Sequence, residues 1–304
     1  MQRKIGRLHW DAGERDRALA CYETGLMCLA GHDEYLELAH LYEEMGRIAF
    51  RGGDNARAVA WADRALAHAE HLATPCEEPR ASSDPETRQE VAAAIAHAYN
   101  TRGVALARMG KLDEAVACIE RSGTVAQTAG LLQVACRSYA NLGVLYSEVD
   151  PSRAIDTCLH GMEVAKQIGD LGLQSRLYTN LAVAYCTLTN RCDDEGIGAA
   201  QAAIDLDRRL GRLDHLAVPL IVLGQIYQCH GAPDLALRHY REALSLAEEN
   251  GEPQLLFPCY EGLATLALER DDAAQAEQYM RKAQQVCERS GLDPDALVVL
   301  SFLD

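Results

Sequence analysis

Apolar and small residues follow one another along this chain at helical spacing, in blocks separated by short polar turns. Within the blocks one pattern recurs: a small residue, an alanine twelve positions later, and small or aromatic residues four and seven positions beyond that. Gly6 leads to Ala18, Tyr22 and Gly25, Gly46 to Ala58, Ala62 and Ala65, and Gly103 to Ala115, Ile119 and Ser122. Gly224 leads to Ala236, Tyr240 and Ala243, and Ala264 to Ala276, Met280 and Ala283. Two units vary the step: Gly143 with Ala154, Cys158 and Gly161 is one residue short, and Ala182 with Gly196, Ala200 and Ala203 is two residues long. The anchors at 6, 46, 103, 143, 182, 224 and 264 are separated by 40, 57, 40, 39, 42 and 40 residues, the 57 being one period plus a 17-residue insertion.

A fixed period of this length predicts an array of helix pairs. In each pair a small anchor lets helix A lie close to helix B, and the alanine twelve later, at the start of helix B, faces the same contact. A Tyr stands four before the anchor at Tyr42, Tyr99, Tyr139, Tyr178 and Tyr260, and three after it at Tyr146, Tyr185 and Tyr227. These are large fillers with a polar end, suited to the seams between repeats. The turns inside the pairs are polar, and Asp54, Asp113 and Asp234 are expected N-caps of B helices. Gly31, Gly130, Gly169, Gly211, Gly251 and Gly291 mark B-helix ends.

The small-x(11)-Ala-x(3)-[aromatic/small]-x(2)-Ala signature, with Tyr ahead of Gly, resembles the tetratricopeptide repeat over residues 1 to about 290. The long period and the Gly closing each unit are similar to the repeats of about 40 residues in bacterial signal-transduction ATPases, cyclase fusions, kinesin light chain and peptide-sensing regulators. The resemblance implies an all-α fold, a right-handed α-solenoid of about seven helix pairs with a short C-terminal capping helix. The expected repeats are 1–31, 32–73, 85–130, 131–169, 170–211, 212–251 and 252–291, with an inserted loop at 74–84 and a cap at 292–304. Asp293 and Pro294 open that cap, and Asp84-Pro85-Glu86 starts the third A helix. The first A helix is short and lacks a polar cap, which suggests that the chain is a fragment of a longer protein.

Composition supports helices and narrows the partners. Aromatics are only 6% of the chain while Ala abounds, which favours close-packed helices over sheets. The net charge of -16 would repel phosphate backbones and acidic membranes, so neither nucleic acid nor a membrane is expected as partner. Eleven cysteines with no C-x-x-C pair, Cys118, Cys158 and Cys287 among them, read as small buried hydrophobes in a reducing compartment. No signal peptide and no run of about 18 apolar residues is present, which points to the cytoplasm.

Nothing in the chain matches a phosphate-binding loop, a dinucleotide fingerprint, a zinc-protease helix or a nucleophile elbow, so no enzyme and no cofactor is expected. His68 and His71, with Cys76, Glu77 and Glu78 beyond them, form a weak metal candidate that reads better as exposed polar residues at a helix end.

The stronger constellation lies on the A helices, which in the tetratricopeptide resemblance line the concave surface. Arg137 and Asn141 stand six and two residues before one anchor, Arg176 and Asn180 six and two before the next. The i,i+4 spacing puts each pair on one helix face. His97 and, one position off register, Asn100 continue the row, and Gln225 and Gln228 follow beyond Val218 and Val222. Glu43, Glu44 and Glu261 make the flanks acidic. Amides and guanidinium groups can hold an extended peptide and its carboxylates, and the resemblance implies that use. Equally, the amides can serve neighbouring helix backbone and the arginines can pair with surface acids. The expected function is a protein- or peptide-binding scaffold in bacterial signalling or transcriptional regulation. The alternatives are the sensor region of a multidomain ATPase or cyclase, and a homo-oligomerisation scaffold.

Overall fold

The structure is a computed structural model that describes residues 1–12, 14–31, 35–73, 84–189, 194–212, 215–251 and 253–291. The insertion at 74–83, the cap at 292–304 with Asp293 and Pro294, and Cys76, Glu77 and Glu78 lie outside the described residues. Among the described residues there are fourteen helices and no strand. They are α1 (Gln2–Asp11), α2 (Arg15–Leu29), α3 (Tyr35–Arg51), α4 (Asn55–Ala73), α5 (Pro85–Arg108), α6 (Leu112–Thr128), α7 (Leu132–Val149) and α8 (Pro151–Ile168). Then follow α9 (Leu171–Thr189), α10 (Asp194–Leu210), α11 (Ala217–Cys229), α12 (Pro233–Asn250), α13 (Pro253–Glu269) and α14 (Ala273–Ser290). The fold is an all-α repeat architecture of the α-solenoid class. The chain divides into two compact units, Met1–Ser138 and Tyr139–Asp304.

The anchors explain why the helices pair. Gly6 meets Tyr22, Gly103 meets Ile119, Gly143 meets Cys158 and Gly224 meets Tyr240; in each case a Cβ on the glycine would collide with that side chain. The residue that occupies the space left by the anchor is thus the one fifteen or sixteen positions on, one turn later than the alanine expected there. The alanines Ala18, Ala58, Ala115, Ala154 and Ala236 are nonetheless fully buried, because helix B comes too close for anything larger. At the last pair Met280, in the equivalent place, is 57% exposed; no described helix follows α14 to cover it.

The core runs through the seams. Ala18 and Tyr22 of α2 pack with Leu41, Met45 and Ile48 of α3. Ala65, Leu66 and Ala69 of α4 pack with Val91, Ala94, Ile95 and Ala98 of α5. The tyrosines divide between two uses. Tyr99 donates to Glu70 Oε1 at 2.9 Å and Tyr260 to Glu248 Oε1 at 3.0 Å, tying each A helix to the preceding B helix. Tyr42 stacks on Trp61, Tyr139 meets His160 edge-on and Tyr227 stacks on His239, all within a pair.

Helix ends are set chemically. The six glycines expected at B-helix ends all have left-handed backbone. At Gly169, φ is 71° and the next amide, of Asp170, donates to Ala165 O at 3.0 Å, which closes α8. The turn between α13 and α14 gives the same backbone to a residue with a Cβ, Asp271, at φ 59°. Asp54 caps α4 as expected, accepting from the Arg57 amide at 3.0 Å, and Asp84 caps α5 through the Thr87 amide at 3.2 Å with Pro85 following. Asp113 and Asp234 do not cap. Their helices begin one residue earlier, at Leu112 and Pro233, so both carboxylates sit inside the first turn near the positive end of the helix. Asp150, Asp170 and Asp272 are further side-chain caps.

No disulfide joins the described cysteines: Cys118 and Cys158 are buried, Cys287 is half-buried, and Cys28 and Cys229 are exposed. No described helix is long and apolar enough to cross a membrane.

Candidate functional site

The odd-numbered helices carry the residues singled out in the sequence. In the first unit, α1, α3 and α5 bring a charged network together. Arg3 donates to both oxygens of Glu37 at 3.1 Å. Glu43 and Glu44, consecutive on α3, are 7% and 5% exposed. Arg47 Nη1 donates to Glu44 Oε2 at 3.1 Å, Arg47 Nε lies 3.8 Å from Glu43 Oε1, and Arg7 Nη1 lies 4.0 Å from Glu44 Oε1. Burial raises both carboxyls above the usual range, and Arg47 only partly offsets it; Glu43 adds to the shift of Glu44 by like charge.

Two histidines share that surface. Burial, and then the charge of Arg137, lowers the imidazole of His97 to about 4. Burial and Arg3 lower His40 to about 4. Both rings are neutral near pH 7. Asn100 is buried, while Arg137 is half-exposed and its charge is felt by Glu43 and His97.

In the second unit the amide and arginine row is physically joined. Arg176 Nη2 donates to Asn141 Oδ1 at 2.5 Å, and Asn180 Nδ2 donates to the carbonyl of Ala140 at 2.7 Å. Asn141 and Asn180 are 0% and 2% exposed, whereas Arg176 is half-buried. One helix therefore holds the other through a backbone carbonyl that helix geometry already engages, using its second lone pair. Gly143 lies nearby: a Cβ there would collide with Cys158 and stand in ordinary contact, 3.7 Å, with Asn180 Nδ2. Farther on, Val222 is buried, Gln225 and Glu261 are exposed, and Gln228 bridges Tyr240 at 3.1 Å and Glu269 at 2.9 Å.

The sequence placed Glu43 and Glu44 on an acidic flank. Their setting between Tyr42 and Met45, just ahead of the Gly46 anchor, was the signal that they point inward. His68 stacks on Tyr42, and Tyr35 meets His68 and His71 with tilted rings. Among the described residues no group of three or more His, Cys, Asp or Glu could hold a metal ion.

Helix pairs with small anchors, a Tyr at the seam and polar residues on the A helices define a repeat class, and direct comparison agrees. Residues 96–122 and 220–254 each match the tetratricopeptide repeat. The chain thus contains tetratricopeptide repeats. No curated protein sequence matches it. Among solved structures it resembles the apo form of RapI at a TM-score of 0.74 and 12% identity, over 95% of this chain and 97% of that one. It resembles the Rap conjugation gene regulator of the plasmid pLS20, in complex with the Phr* peptide, at a TM-score of 0.69 and 15% identity, over 95% of this chain and 73% of that one. It also resembles a signal transduction ATPase with a tetratricopeptide repeat sensor from Pyrococcus horikoshii at a TM-score of 0.64 and 12% identity, covering 99% of this chain and 44% of that one. At these identities the likeness is one of fold.

Proposed function

We propose that this chain is a non-enzymatic scaffold whose A-helix faces bind a peptide or an extended segment of a partner protein. The observation that carries this reading is the Arg176–Asn141–Asn180 arrangement. One buried amide, Asn141, fixes a half-buried guanidinium in place while Asn180 ties α9 to α7 through the Ala140 carbonyl, so the guanidinium is preorganised on a helix face. Asn141 acts by positioning Arg176, and Asn180 by joining the two helices. In the second unit Arg176 and Gln225 are the proposed ligand contacts; in the first, taken by itself, they are Arg137, His97 and Asn100. The peptide held by the pLS20 Rap regulator is in keeping with the same use of this fold. Bacterial signalling or transcriptional control, in the cytoplasm, is the setting we infer.

The test is a titration of the full chain with a pooled library of random pentapeptides. Saturable binding that weakens in Arg176→Ala, with unchanged helical circular dichroism, supports the reading. Absence of binding to any pool overturns it.

A second reading is favoured by the Pyrococcus match, which takes up less than half of that protein: the array would be the sensor region of a larger chain. Immunoblotting of the endogenous protein decides this, because a single band at 33.2 kDa excludes it.

A further inference from the structure

The two buried glutamates of α3 are unequally served. Glu44 accepts a hydrogen bond from Arg47 at 3.1 Å and has Arg7 at 4.0 Å. Glu43 accepts no hydrogen bond from any described residue, and the cation within 4.0 Å of it is the same Arg47, at 3.8 Å. One guanidinium is thus shared by two carboxylates. The histidines of this surface, His40 and His97, are neutral and supply no further positive charge. Arg137 acts on Glu43 only through its field.

A second group, within the electrostatic reach of the pair, has an unsatisfied hydroxyl. Tyr22 is fully buried and its hydroxyl has no hydrogen-bond partner among the described residues. It lies in the field of Glu44, Arg47, Glu43 and Arg7. A nearly buried carboxylate with no donor among the described residues and an orphaned hydroxyl both cost folding free energy. Both costs fall within one electrostatic neighbourhood, which points to a role there other than stability. What is missing is a donor that carries positive charge: a neutral donor would satisfy one lone pair and leave the buried charge uncompensated.

We propose that Glu43 is the acceptor for a cationic side chain, lysine or arginine, of the peptide that the A-helix face binds. The proposal rests on the peptide-binding reading. On binding, the incoming cation takes over Glu43 and leaves Arg47 to Glu44. Because burial raises the Glu43 carboxyl, its charge opposes folding in the free protein. Removing that charge therefore increases stability while it destroys the ligand preference, a pairing that a structural ion pair would not give.

The experiment uses N-acetylated, C-amidated pentapeptide pools that are random except for a central lysine, arginine, norleucine or glutamate, titrated into the full chain at pH 7. The lysine and arginine pools are expected to bind about tenfold more tightly than the norleucine pool, a difference of about 1.4 kcal/mol. In Glu43→Gln that preference disappears and Tm rises. In Glu163→Gln, whose side chain on α8 is 82% exposed, the preference is unchanged. Equal binding of the lysine and norleucine pools overturns the cation site and leaves peptide binding standing. Failure of every pool overturns both. Binding confined to matching pools with free N-termini overturns the side-chain assignment, and a lower Tm in Glu43→Gln makes the carboxylate structural and also overturns it.

Discussion

The ring of Tyr240 occupies the space that Gly224 leaves open: a Cβ on Gly224 would stand 2.7 Å from Tyr240 Cε1. Tyr240 is 1% exposed and also lies against Gly262 of α13, so it has nowhere to retreat. Gly224→Ala is therefore expected to lose about 1–3 kcal/mol through overpacking, despite the better helix propensity of alanine. Urea unfolding followed by circular dichroism measures it. A variant as stable as the parent would show that the ring moves freely.

Asn180→Ala tests the joint between α9 and α7. The amide bonds a carbonyl in a dry setting, so its loss leaves a cavity and one fewer partner for Ala140. The expected cost is about 1–3 kcal/mol, visible as an earlier urea midpoint. Arg176→Ala, by contrast, removes a half-buried group and is expected to shift stability by less than about 1 kcal/mol. If the two variants unfold alike, the amide is not holding the helices.

The fold was legible because its cause is steric. Gly6, Gly103 and Gly224 recur where a Cβ would collide with the partner helix. The site was only partly legible. Spacing puts Arg176 and Asn180 on one face but does not fix how near the previous helix comes, and that distance decides whether Asn180 meets a ligand or the Ala140 carbonyl. Glu43 and Glu44 read as surface acids because charge in a sequence carries no information on depth. Asp113 and Asp234 read as caps because a one-residue shift of a helix start leaves no mark in composition.

Stability is expected to depend on pH through His40 and His97. Their folded values of about 4 lie below the ordinary 6.5. The unfolded chain therefore takes up protons first as pH falls. The stability these neutral rings contribute is complete above pH 6.5 and is lost between pH 6.5 and 4, by up to about 3 kcal/mol for each. Glu43 and Glu44 act in the opposite sense: with raised carboxyls they favour the fold at low pH, and that contribution is lost as pH rises through and above 4.5. Thermal melts across pH 4–7 are expected to show a shallower acid slope in His97→Gln than in the parent. An identical slope would mean that His97 takes up its proton as readily in the fold as in the unfolded chain.

Asp271 holds a left-handed backbone position at φ 59°, where comparable turns use Gly53, Gly110 and Gly231. Asp271→Gly relieves that strain and is expected to stabilise by up to about 1 kcal/mol, read from the denaturation midpoint. A loss of stability would mean that the Asp271 side chain contributes more than its backbone costs.

The clash that excludes a Cβ at Gly224 is met by Tyr240 of the same hairpin, and the glycine that ends that hairpin, Gly251, closes α12 with its own backbone. Such a segment brings its internal fit with it. A gene encoding residues 212–251 twice in tandem would then yield a longer array, and evolution could lengthen or shorten this lineage by whole cassettes without redesigning the joints inside them.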